Sequence, residues 1–166
     1  VLSNPGNFAV IMGRSVVSMV SDEAGKPYFG EGYEYRYGRM EQIRLGESVA
    51  LVSAGNMLWV ALDAYNTLKD DGKNISLISV SDWSDIHPDD LNMLSSYKNV
   101  IVLEDHNVKT GLGTAIADAL VSSGLTTKLS KMGVTRYGSS GKPLELYKLL
   151  GIDTVSVVEK IKLILK

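Results

Sequence analysis

The sequence predicts an α/β fold, three α/β/α layers around a mostly parallel sheet of about five strands. Three observations lead there: after Gly46 short apolar runs alternate with helical patterns, the runs are continuous, and the helix starts carry recognisable caps. Taken in order, residues 48–53 (Ser-Val-Ala-Leu-Val-Ser) form the first strand of the series, and Ala54-Gly55 makes its turn. Leu58, Ala61, Leu62, Tyr65 and Leu68 then recur at three and four, one stripe of a helix that stops at Asp71-Gly72. Met57, Val60 and Ala64 add a second apolar face, so this helix should touch something beyond its own sheet. Residues 75–80 are the next strand. A short helix begins at His87-Pro88-Asp89-Asp90, with proline at its first position and acids against the positive end of the dipole. Residues 99–103 read as a third strand ending in Glu104-Asp105-His106; Gly111-Leu112-Gly113 opens a helix to about Val121, and residues 128–134 supply a fourth strand. Two helices close the chain, 143–150 and 153–166, the second capped by Asp153 with Lys160, Lys162 and Lys166 favouring its negative end.

Two segments of different texture precede this series. Residues 8–12 (Phe-Ala-Val-Ile-Met) make a buried-type strand that ends at Gly13-Arg14. Such a strand needs partners for its backbone, from further chain or from the rest of this domain. Residues 21–38 are rich in glycine and hold Tyr28, Phe29, Tyr33, Tyr35 and Tyr37. A connector that dense in tyrosine is expected to lie against another surface, with ring faces buried and hydroxyls wet. The start, Val1-Leu2-Ser3-Asn4-Pro5, lacks a methionine and enters a strand almost at once, which would suit a chain cut out of something longer.

Composition bounds the function classes. A chain of 166 residues, 45% hydrophobic and 22% charged, can close one sizeable core, and a single compact domain is the default expectation. A net charge of −2 offers no broad basic surface for nucleic acid or anionic lipid, and neither partner is expected. The sequence has no cysteine, which removes disulfides, thiolate metal sites and a cysteine nucleophile and fits a reducing cytoplasm. No apolar run approaches the length of a membrane span.

The best candidate for chemistry is the strand end Glu104-Asp105-His106, followed by Gly111-Leu112-Gly113 and a helix, because open α/β sheets bind ligands beyond the carboxyl ends of their strands. A carboxylate beside an imidazole can serve as acid and base; equally, Glu104 and His106 can cap loops or bond to a neighbouring chain. Gly-x-Gly at a helix start can cradle an anion, but the third glycine and acidic ribose reader of a dinucleotide fingerprint are missing. Ser139-Ser140-Gly141-Lys142-Pro143 has the wrong spacing for a phosphate loop, with Arg136 and Pro143 where that loop needs glycine and a hydroxyl residue. His87 and His106 lie far apart and no carboxylate spacing points to a metal site. No serine sits in a nucleophile elbow. Arg14 is expected to emerge at a strand end, where its guanidinium can grip a phosphate bidentately or form a surface ion pair.

As a set, several motifs resemble one family. They are Ser53-Ala54-Gly55 with its long helix, Asp85-Ile86-His87-Pro88-Asp89, Glu104-Asp105-His106, Gly111-Leu112-Gly113, and Ser140-Gly141-Lys142-Pro143 through Gly151-Ile152-Asp153. Their order and spacing are similar to the C-terminal domain of transketolases over residues 38–166. Looser versions close 1-deoxyxylulose-5-phosphate synthase and the beta chains of 2-oxo acid dehydrogenases, and Glu-Asp-His with Ser-Gly-Lys-Pro favours transketolase among the three.

The resemblance implies a division into the end of a pyrimidine-binding domain (1–20), a connector (21–38) and the C-terminal domain (39–166). It implies an enzyme moving a two-carbon ketol unit between ketose and aldose phosphates with thiamine diphosphate and Mg, both bound by the complete enzyme and not by this chain. The family's Gly-Asp-Gly diphosphate motif and its activating glutamate are absent from the sequence. The chain is therefore expected to hold no catalytic, cofactor or metal residue, to be inactive alone, and to partner a cofactor-binding transketolase domain or subunit in a homo-oligomer. Arg14, in Gly13-Arg14-Ser15, stands where the family's substrate-phosphate arginine lies, although Ser15-Val16-Val17 departs from the residues often found after it. A reading from another class is a stand-alone regulatory module that takes an anion at the Gly111 helix start.

Overall fold

The computed structural model describes residues 16–166, so the predicted strand at 8–12 and Arg14 lie outside the described residues. The strands are β1 (Met40–Arg44), β2 (Ala50–Ser53), β3 (Ser76–Val80), β4 (Asn99–Asn107) and β5 (Lys128–Val134). The helices are α1 (Leu58–Asp70), α2 (Pro88–Ser95), α3 (Leu112–Ser122), α4 (Pro143–Leu150) and α5 (Thr154–Ile164), and a short 3-10 turn at Gly55–Met57 leads into α1. The strands form one sheet in the order β1-β3-β2-β4-β5, parallel throughout except for β1, which runs antiparallel to β3. This is the three-layer α/β arrangement that the sequence predicts.

The register explains why the central strands are apolar without alternation. Leu51 lies between Leu77 and Ile101, and with Leu103 they face a core completed by α1 and α5. The neighbouring positions Val52, Ile78 and Val102 face the opposite core, with Leu91 and Leu94 of α2 and Ile116 and Leu120 of α3. A strand buried on both faces has no polar side to show. Chain direction across the sheet reverses at β2: α1 leads outward to β3, and α2 then carries the chain back over β2 to β4. The carboxyl ends of β2 and β4 thus form the switch point of the sheet, where the flanking loops part.

The second apolar face of α1 is met within the same chain. Val157, Val158 and Ile161 of α5 are buried in one core with Val60, Ala64 and Leu68, while Val20 and Tyr28 of the connector add to its margin. This face is therefore no evidence for a neighbouring subunit. α4 is the contrasting helix: none of its residues is fully buried, and Leu144 and Leu149 are exposed.

β1 was not anticipated from the sequence, because Met-Glu-Gln-Ile-Arg carries polar residues at three of its positions. Each polar group finds a specific partner. Glu41 accepts hydrogen bonds from the hydroxyls of Tyr28 at 3.1 Å and Tyr33 at 3.3 Å, which seats the connector on the sheet edge. Gln42 donates to Tyr97 at 2.8 Å. Arg44 is buried, donates to the carbonyls of Ile43 and Ser21, and lies over the Tyr65 ring, 5.7 Å from its centre. Just before β1, Arg39 grips Asp90 of α2 through Nε at 3.1 Å and Nη2 at 3.0 Å, and Asp90 also accepts the Met40 N–H at 3.0 Å. Tyr28 and Tyr33 are half-buried with their hydroxyls on Glu41, whereas Tyr35 and Tyr37 are exposed, so the expectation of buried ring faces fails for these last two.

Candidate functional site at the carboxyl ends of β2 and β4

β4 runs nine residues and carries Glu104, Asp105 and His106 inside the strand, where the sequence placed them beyond its end. Pairing with β5 slips between Leu103 and Asn107. Gly133 of β5 sits opposite the slip: a Cβ there would fall 2.8 Å from the His106 carbonyl oxygen and 2.9 Å from Glu104 Cγ. The irregularity turns Glu104 under the start of α3, leaving it 3% exposed. Its Oε1 accepts the Gly113 N–H at 3.1 Å. The N-cap position of α3 is Gly111, which has no side chain to offer, so the strand supplies the cap from nine residues back. Gly111 and Gly113 both border this carboxyl group, Gly111 the more tightly.

The Gly-x-Gly that could have cradled an external anion is thus occupied by a carboxyl of its own chain. That arrangement withdraws the structural basis for an anionic ligand at the Gly111 helix start. Glu104 Oε2 is buried as well and has no protein donor.

Asp105 and His106 point to the surface side of the same strand end. His106 Nδ1 lies 2.8 Å from Asp105 Oδ1, with the imidazole largely exposed. Burial first, and the Asp105 carboxyl second, push the Tyr147 phenol of α4 above its ordinary value. Ser79 and Ser81 are the hydroxyl side chains among the residues lining the adjacent cleft, and neither is hydrogen-bonded to Asp105 or His106.

That cleft, about 690 Å³, opens at the switch point between the ends of β2 and β4. Asn56 and Leu58 at the start of α1 form one side, Glu104, Asp105 and His106 another, and Phe29 with Trp83 the aromatic rim. Sequence reasoning found the Glu-Asp-His edge and missed Phe29, Trp83 and Gly133 as parts of the site. Gly133 did carry a signal, since a glycine inside a strand pattern marks a bulge or a close approach. His87 lies elsewhere and caps α2, its Nδ1 accepting the Asp89 N–H at 3.2 Å.

Residues 38–157 match the family described as "Transketolase, C-terminal domain". The chain belongs to that family. A protein of Methanocaldococcus jannaschii named as a transketolase C-terminal section is 33% identical over 118 residues, covering 70% of this chain and 36% of its own length. The 1-deoxy-D-xylulose-5-phosphate synthase of Azobacteroides pseudotrichonymphae is 32% identical over 145 residues, covering 79% of this chain and 22% of its own length. Among solved structures, "Split gene transketolase, inactive beta4 tetramer" superposes with a TM-score of 0.77 at 25% identity, covering 92% of this chain and 48% of that one. The chain therefore spans less than half the length of these relatives. It is a transketolase-type C-terminal domain or part-subunit, as its motifs imply, and its family is one of transferases. No described helix is long and apolar enough to cross a membrane.

Proposed function

We propose that this chain is the terminal, assembly-directed module of a transketolase that moves a two-carbon ketol unit between sugar phosphates. The observation that carries the reading is the family match across residues 38–157, together with the likeness to a split-gene transketolase over 92% of the chain. The described residues do not fit thiamine diphosphate and its metal. The Gly111-Leu112-Gly113 helix start is filled by Glu104, no Lys or Arg lines the cleft, and no three-carboxylate or histidine cluster occurs among the described residues. The cofactor and Mg are therefore assigned to a partner domain or subunit of the complete enzyme. This chain contributes no catalytic residue and is inactive alone.

In this reading residues 1–20 end a pyrimidine-binding domain, 21–38 connect, and 39–166 form the C-terminal domain. Arg14 contacts the substrate phosphate, the complete enzyme is a homo-oligomer, and it works in the cytoplasm. The match to 1-deoxy-D-xylulose-5-phosphate synthase keeps a second activity of the same cofactor class in view. Both are tested together. The chain joined to a pyrimidine-binding domain and mixed with a cofactor-binding transketolase subunit should transfer ketol units from xylulose 5-phosphate, and the chain alone should not. Absence of transfer, with formation of 1-deoxyxylulose 5-phosphate from pyruvate and glyceraldehyde 3-phosphate with release of carbon dioxide instead, would move the assignment to the synthase.

A further inference from the structure

We infer that the rim of the sheet, at the carboxyl ends of its parallel strands, is a self-complementary docking surface for a second copy of this chain. The inference rests on the reading of the chain as an assembly module and gives the homo-oligomer named there a surface.

Topology gathers the relevant loops at one end of the molecule. β2, β3, β4 and β5 run parallel and end on this rim, while β1 is antiparallel and begins there, so the end of the connector lies on it too. From one edge to the other the rim carries residues 34–39 before β1, residues 81–85 after β3, the cleft beyond β2 and β4, and residues 135–142 after β5.

The two ends of this rim are opposite in charge. Beside β1 and β3, Glu34 and Asp85 are exposed and Asp82 is half-buried. Asp82 accepts the N–H of Ser84 at 2.9 Å and its hydroxyl at 2.7 Å, contacts that hold the carboxyl below its ordinary value and keep it ionised. The cations nearby already face acids: Arg36 lies 3.7 Å from Glu41, and Arg39 is held by Asp90. Beside β5, Arg136, Lys142 and Lys148 are exposed, and Glu145 is the sole acid of residues 135–150. Arg136 donates to the Leu149 carbonyl at 2.6 Å, which keeps α4 next to the rim.

Both ends also offer apolar surface. The Tyr35 and Ser81 hydroxyls are hydrogen-bonded at 3.1 Å and the Tyr35 ring lies 6.3 Å from that of Tyr37, so these two rings join Trp83 in one exposed aromatic patch. At the other end Tyr137 is 99% exposed, with Leu144 and Leu149 exposed on α4. Large apolar side chains rimmed by charge mark protein contacts.

Charge complementarity decides the occupant. A two-fold axis normal to the sheet, placed beyond the cleft, sets two rims face to face with their ends exchanged. The acidic, aromatic end of each copy then meets the basic, leucine-bearing end of the other, which is the self-complementarity an isologous dimer requires. Rims paired with like ends together would oppose like charges.

The test is sedimentation equilibrium on the full chain. It should dimerise with a dissociation constant on the order of 10 μM or tighter, weakened several-fold at about 1 M salt, where the screening length falls to about 3 Å. Lys142→Glu with Lys148→Glu turns the basic end acidic, and Glu34→Lys with Asp85→Lys turns the acidic end basic. Each double variant alone should dimerise about a hundredfold more weakly, and an equimolar mixture of the two should recover the dimer, because every pair of opposed ends is then of opposite sign. Tyr137→Ala should weaken the dimer about tenfold. All these positions are exposed, and unchanged thermal denaturation shows that the fold is kept. A monomeric wild-type chain, a double variant that dimerises as tightly as wild type, or a mixture that fails to pair would each overturn the proposal. A monomeric chain that still completes ketol transfer with its cofactor-binding partner would sink the docking surface alone; a rim-dependent dimer without transfer would sink the transketolase assignment alone.

Discussion

A Cβ built on Gly111 would sit 1.8 Å from the Oε2 of Glu104. No L side chain reaches that distance without movement, and the carboxyl cannot simply retreat, because Oε1 is held by the Gly113 N–H and Gly133 closes on Cγ from β5. Gly111→Ala should therefore displace Glu104 and uncap α3, at a cost of about 2–4 kcal/mol in urea denaturation. Gly138→Ala is the control: nothing lies within 4 Å of its Cβ position, and it should change stability by less than about 0.5 kcal/mol. Equal effects of the two substitutions would mean that the Glu104 lock does not hold α3.

Arg44 ties three elements together, since its own strand β1, the connector at Ser21 and the Tyr65 ring of α1 all meet its guanidinium. Removing the head group leaves the Ser21 carbonyl without its donor and opens space beside Tyr65. Arg44→Ala should cost about 2–4 kcal/mol and make residues 21–38 the first site of limited proteolysis. Arg44→Lys retains a charge but not the planar fork, and should recover less than half of the loss. Full recovery by lysine would show that charge alone is what matters there.

Elements whose burial follows a simple period were legible in the sequence, and those held by particular polar contacts were not. Leu58, Ala61, Leu62, Tyr65 and Leu68 mark α1 because one stripe faces the sheet, and 75–80 and 99–103 mark strands because both faces are covered. β1 escaped because its position depends on Tyr28, Tyr33 and Tyr97 supplying partners from 8 to 55 residues away. The Glu-Asp-His cluster was visible as a polar strand end. Its role was not, since a glycine inside a strand marks an irregularity at Gly133 without saying whether the slip turns Glu104 toward a ligand or toward a helix start.

Tyr28 makes the stability dependent on alkaline pH. Burial, reinforced by the Glu41 carboxyl, pushes its phenol from 10.0 up to about 12, and Tyr33 is raised by the same causes. The unfolded chain loses the proton near pH 10 while the folded chain keeps it, so the unfolded state binds fewer protons between these values. Stability should be fully present below pH 10 and fall as the pH rises toward about 12. Tyr28→Phe cannot ionise and should flatten that fall in thermal denaturation, with a lower starting stability from the lost Glu41 bond. An unchanged pH profile would show that Tyr28 is not the group responsible.

Arg14 lies outside the described residues, and its role rests on the position of Gly13-Arg14-Ser15 relative to the family pattern. If its guanidinium grips the substrate phosphate with a bidentate pair of charge-assisted bonds, the contact is made to a group remote from the reacting carbons. Such a contact binds ground state and transition state alike, so its loss raises KM while kcat changes little. Arg14→Ala in the reconstituted enzyme should raise KM for phosphorylated substrates by about ten- to a hundredfold and leave unphosphorylated ketoses nearly unaffected. Arg14→Lys keeps a point charge without the fork and should fall between the two. A proportional rise for both substrate types would instead place Arg14 in the structure of the strand end, away from the phosphate.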